Sequence, residues 1–188
     1  MPSSLRYAAL LVVVAGLAAC TDGGEDDDDA DIGSTSSLAP AVAPDLPAPS
    51  PAGTGVVLIG GSSATFAITE CELEGTDGDG TTTELLRVTG EGTTSSDVPF
   101  EVEAVRSSTG GAVETFTDTI SYSDTGRILQ VQRVEVAGEV TDLRDPSARG
   151  TLLRVRPGGV AATGIAGPPG TVADGDAGLV GLAFDASC

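Results

Sequence analysis

From Gly55 onward the apolar residues of this chain recur at every second position, and that period constrains the fold more than anything else in the sequence. Phe100, Val102 and Ala104 alternate with Glu101 and Glu103, while Phe116, Ile120 and Tyr122 alternate with Thr115, Thr117, Thr119 and Ser121. Successive side chains of a strand point to opposite faces, so each pattern fits a strand with one packed and one wetted face. Val180, Leu182, Phe184, Ala186 and Cys188 share a phase, which predicts a last strand that turns its cysteine toward the core. Further strands are expected over 56–59, 65–73, 85–89, 128–136 and 151–156. Within 128–136 the apolar phase moves from Leu129 and Val131 to Val134 and Val136, as a β-bulge would require. Glycine and proline punctuate the joins, and no amphipathic helix of three turns can be found. The expected fold is all-β, a small antiparallel β-sandwich or partly closed barrel.

Composition narrows the chemistry. Tryptophan is absent and the whole chain holds four phenylalanines and two tyrosines, so the core must be aliphatic and large aromatic binding platforms are not expected. Net charge is −19. Every cation is an arginine, and Arg133, Arg144, Arg149, Arg154 and Arg156 are interleaved with Glu135, Glu139, Asp142 and Asp145. Nucleic acid is therefore excluded as a partner, since phosphate neutralisation needs clustered cations; an acidic, solvated surface is the reading that remains. There is no histidine or lysine, which removes the usual proton acceptors for serine or cysteine nucleophiles and any Schiff-base chemistry. No enzyme activity and no cofactor is expected.

The N-terminal residues carry an address. Arg6 precedes an apolar run over 7–17, too short for a hydrocarbon core of roughly 30 Å, and Leu17-Ala18-Ala19-Cys20 follows. That tetrapeptide fits a lipobox, in which the cysteine thiol receives a diacylglycerol bearing palmitate-type chains before the peptide ahead of it is removed. Residues 1–19 are then a lipoprotein signal peptide, and Cys20 is the lipidated first residue of a protein held on the extracytoplasmic face of a cell membrane. Residues 20–54 form an acidic and then proline-rich stretch with too few apolar groups to offset ordering entropy, and are expected to be a disordered tether. Ser34, Thr35, Ser36 and Ser37 suit O-glycosylation on composition alone. Residues 55–188 have the size of one domain.

With Cys20 committed to lipid, Cys71 and Cys188 remain in an exported domain. They are expected to form a disulfide rather than stay as two buried thiols. Two are too few for a closed zinc site. Asp77 and Asp79, and again Asp174 and Asp176, sit in short glycine-bearing loops whose alternating carboxylates are weak metal candidates; neither has the ligand set of an EF-hand, and turn chemistry explains both. No metal is expected. Asp118 falls in phase with Phe116, Ile120 and Tyr122, so it should point inward, either onto an arginine or as one acid of a carboxylate pair with Glu70 or Glu72.

Taken in order, the lipobox, the polar tether, Val56-Val57-Leu58-Ile59-Gly60, the first domain cysteine in Thr65-Phe66-Ala67-Ile68-Thr69-Glu70-Cys71, the segment Gly159-Val160-Ala161-Ala162-Thr163-Gly164-Ile165-Ala166, and the terminal Gly181-Leu182-Ala183-Phe184-Asp185-Ala186-Ser187-Cys188 resemble the mycobacterial surface lipoprotein antigens, the LpqH-like family. The chain differs from that pattern in its acidic run, its proline-rich tether and a longer middle from about Glu91 to Asp145. The resemblance implies a small β-fold with one Cys71–Cys188 bridge on a membrane anchor, and a non-enzymatic envelope, adhesion or antigen-type role. The alternative is a carrier in which the sheet wraps a lipid or another small ligand.

Overall fold

The alternating segments form ten β-strands, and among the described residues there is no helix. The computed structural model of the protein describes residues 41–74, 82–111, 113–171 and 178–188. The strands are β1 (Thr54–Ile59), β2 (Ser62–Glu72), β3 (Thr82–Thr93), β4 (Pro99–Thr109), β5 (Thr115–Asp124), β6 (Arg127–Val136), β7 (Glu139–Asp142), β8 (Arg154–Arg156), β9 (Gly159–Ala166) and β10 (Val180–Ser187). All pair antiparallel in one sheet ordered β7-β6-β5-β4-β3-β2-β1-β10-β9-β8. The sheet curls until β6 meets the chain just past β9. There the Gln130 N–H donates to the Gly167 carbonyl at 2.8 Å, and the Gly167 N–H donates back at 3.2 Å. Of the two expected architectures this is the partly closed barrel, a single sheet rolled into a half-barrel.

The concave face is filled. Val88, Ala104, Ile120, Val131 and Leu182 are fully buried there. Phe66 stacks on Phe184 with ring centroids 5.6 Å apart, and Phe100 stacks on Tyr122 at 5.3 Å. Phe66 fits only because its neighbours are glycines. A Cβ at Gly55 would lie 2.1 Å from its ring, and one at Gly90 would lie 2.3 Å from it. Leu152 and Leu153, in the loop between β7 and β8, are buried as well, each stabilising by about 1.5–3 kcal/mol.

Four expectations are corrected. β6 has no bulge: its register with β5 runs unbroken from Asp124 opposite Arg127 to Thr115 opposite Val136. The apolar phase breaks because the buried position after Val131 is taken by Arg133. Register shifts fall instead between Ile68 and Glu70 and between Glu84 and Leu86. Cys188 does not enter the core; it is exposed, just past the end of β10. β8 covers only the last three residues of the segment expected at 151–156, because Leu152 and Leu153 are drawn into the core, and β7, which precedes it, is a four-residue edge strand that alternation alone could not mark.

The last correction concerns residues 41–53, part of the expected tether. They lie along the outer face of β10 and β9. The Thr163 hydroxyl donates to the Pro44 carbonyl, the Ser50 N–H donates to Asp185 Oδ1 at 2.7 Å, and the Gly53 N–H donates to the Ser187 carbonyl at 2.7 Å. Packing therefore begins upstream of the boundary drawn at Gly55.

The Cys71–Cys188 disulfide is present, with Cα atoms 6.2 Å apart and a sequence separation of 117. Because β1 starts only at Thr54, opposite Ala67 and Ser187, the chain beyond those residues is free to be joined directly. A loop this long stabilises by about 4–5 kcal/mol in the chain-entropy model. Urea unfolding of the Cys71→Ser/Cys188→Ser variant is therefore expected to lose most of a small domain's net stability; an unchanged midpoint would show that the bridge is not a structural tie.

Candidate functional site

Asp118 is buried, and it sits within a row of alternating charges. Arg106 on β4 lies directly opposite Asp118 on β5, Asp118 opposite Arg133 on β6, and Arg133 opposite Asp142 on β7. Arg106 grips Asp118 with two prongs, Nε to Oδ1 at 2.6 Å and an Nη to Oδ2 at 2.8 Å. Backbone N–H groups of Leu152 and Leu153 both donate to Asp118 Oδ2 at 3.0 Å. Arg133 reaches Asp142 Oδ2 through Nε and an Nη at 3.4 and 3.3 Å, and the Gly150 carbonyl at 3.2 Å. Asp142 Oδ1 in turn accepts from the backbone N–H groups of Arg144 and Asp145. The hydrogen bond to Asp118 raises the Arg106 pKa, against the opposing effect of burial.

This geometry ties the β7–β8 loop to the sheet. Arg106 also donates to the Leu153 carbonyl at 2.7 Å, and Arg144 carries the tie onward to the Pro168 carbonyl. Next to the row lies a cleft of about 250 Å³, with Leu85, Phe116 and Val140 as apolar wall and Arg106, Arg133 and Glu135 as polar rim. The Asp118 carboxylate accepts four hydrogen bonds, three at Oδ2 and one at Oδ1. The arrangement holds the backbone of the β7–β8 loop against the sheet.

The sheet does not bring Asp118 together with Glu70 or Glu72. Both glutamates are exposed on β2, which two strands separate from β5. Asp77, Asp79, Asp174 and Asp176, and the lipobox residues Leu17, Ala18, Ala19 and Cys20, lie outside the described residues. Among the described residues no group of three or more potential ligands is placed to hold a metal ion, and no helix is long and apolar enough to cross a membrane.

A further buried ion pair lies outside this row. Asp185 on β10 has no exposed surface and pairs with Arg156 through both guanidinium Nη atoms, one donating to Oδ1 at 2.9 Å. Burial pushes the Asp185 pKa up, but hydrogen bonds from Arg156 and from the Ser50 N–H outweigh it, so the carboxyl titrates below its ordinary range. The available signal was the near-continuous apolar run Leu182-Ala183-Phe184, which marks a strand buried on both faces.

Compared with protein-family models, curated proteins and solved structures, the chain finds no match.

Breaking a buried pair by removing one partner costs about 3–5 kcal/mol, because the other charge is stranded. Asp118→Ala is therefore expected to destabilise the domain by that amount in urea unfolding, whereas Glu103→Gln, which removes a half-exposed partner of Arg87, costs no more than about 1 kcal/mol. Equal losses would refute the structural role of the row. For Asp185 the folded pKa lies below the unfolded value of about 3.9, so its stabilisation is complete above roughly pH 5 and is lost as the pH falls through the folded pKa. The stability gap between wild type and Asp185→Asn should shrink below about pH 4; a gap constant with pH would contradict the assignment.

Proposed function

We propose that this protein is a lipid-anchored surface lipoprotein, fastened through Cys20 to the extracytoplasmic face of a cell membrane, whose β-domain is a non-catalytic display or binding module of the envelope. The observation that carries the non-catalytic reading is Asp118. The one carboxylate that sequence phase aimed inward is held by Arg106 and in turn holds two backbone N–H groups of the β7–β8 loop. The anchor rests on Leu17-Ala18-Ala19-Cys20 behind a short apolar run, and is supported by the pairing of the other two cysteines with each other. The resemblance of its segments to those of the LpqH-like antigens favours the same reading. A lipid carrier has less support, because the concave face is packed with side chains.

Intact mass of the protein extracted from its native membranes tests the anchor. The expected species begins at Cys20 and carries acyl chains, and Cys20→Ala accumulates the unprocessed precursor. Recovery of a diffusible, unacylated product without detergent would overturn the reading.

A further inference from the structure

The chain's route over residues 42–53 decides which end of the half-barrel carries the exit toward the N-terminus. One end holds the β1–β2, β3–β4, β5–β6 and β9–β10 connections; the opposite end holds Gly53, the disulfide, the β6–β7 and β8–β9 turns and the cleft beside Glu135. β1 begins at the cleft end. A tether running straight on from Thr54 would leave there and draw the cleft toward the membrane. Instead, residues 42–53 run parallel to β10 along its outer face. Gly53 meets Ser187, Ser50 meets Asp185, and Val42 and Pro44 meet Gly181. The route is built into the sheet. A Cβ at Gly181 would lie 2.3 Å from the Val42 carbonyl oxygen and 2.9 Å from Pro44 Cδ, so only glycine admits the strap there. Ala183 and Asp185, on the outer face of β10, have no exposed surface.

We propose that residues 42–53 are a reversing strap, which carries the chain's exit from the cleft end of the domain to the opposite end, so that the cleft and the disulfide face away from the membrane. Six residues of β10 separate the two exits, about 20 Å at ~3.3 Å per residue, or half the length of the longest strand. The inference rests on the lipid-anchor reading and adds an orientation to it. Asp185 and Arg156 hold the strap in the middle through Ser50, Thr163 holds it at Pro44, and the backbone of Ser187 holds it at Gly53.

The test uses the mature chain from Cys20, coupled through the Cys20 thiol to a maleimide lipid in nanodiscs that contain gadolinium-chelating lipid, with amide relaxation read by NMR. Coupling installs the anchor chemically, so the measurement stands whether or not native acylation is found; failure of the anchor reading is seen by intact mass alone. Amides of Asp97 and Gly126 should be broadened more than those of Gly138 and Gly158. Unseating the strap, by Gly181→Val or by Ser50→Pro, which lies outside the strands and removes the hydrogen bonds that Ser50 gives Asp185, should abolish or reverse that order. Stronger broadening at Gly138 and Gly158 in the wild type, equal broadening at both ends, or an order unchanged in Ser50→Pro would overturn the proposal.

Discussion

Four charged side chains on adjacent strands neutralise one another across the concave face, and the closure of the half-barrel depends on them. Arg106, Asp118, Arg133 and Asp142 alternate in sign at one level of the sheet, each opposite the next. From β4 to β7 that level carries charge where an apolar layer would pack, and the β7–β8 loop supplies the missing partners, giving N–H groups to Asp118 and carbonyls to both arginines. Docking that loop brings Leu152 and Leu153 into the core, so polar satisfaction and apolar burial are two results of one contact. A buried ion pair adds little net stability over well-packed apolar groups, but losing one member is costly. The row therefore acts chiefly on register. A slip by one residue would place charges against the apolar layer and leave the loop without its partners.

The strap follows the same logic on the other face. Asp185 is an isolated carboxylate in the most apolar strand of the domain, and it is tolerated because Arg156 and the Ser50 N–H converge on it. Asp118 and Asp185, on opposite sides of the curled sheet, thus fix two segments that have no strand pairing of their own. In the lipoprotein reading these segments differ in duty, the strap setting how the domain is presented and the β7–β8 loop bounding the cleft that is presented.

Legibility in the sequence followed the reach of the interactions. The long strands could be read because alternation is local: Phe100 to Ala104 and Phe116 to Tyr122 carry their own burial pattern. The disulfide followed from counting thiols. Asp118 could be placed inward by phase, and an arginine was foreseen as one of its two partners, but which arginine depends on the β4–β5 register. A buried arginine at position 133 imitates a broken apolar phase and so a bulge. The strap was illegible for a different reason. Its alanines and prolines read as unstructured, and its docking depends on Gly181 and Asp185, far along the chain, where small size and burial show only once β9 and β10 are paired.

Hydrogen exchange at two loop amides bears most directly on the central claim. Leu152 and Leu153 lie outside any strand, yet their N–H groups donate to a buried carboxylate, so both should exchange as slowly as Ile120 and Val131 in the paired core. Exchange as fast as that of the exposed Ser147 in the same loop would contradict the account, because the loop would then be open in solution and the charged row would have nothing to hold.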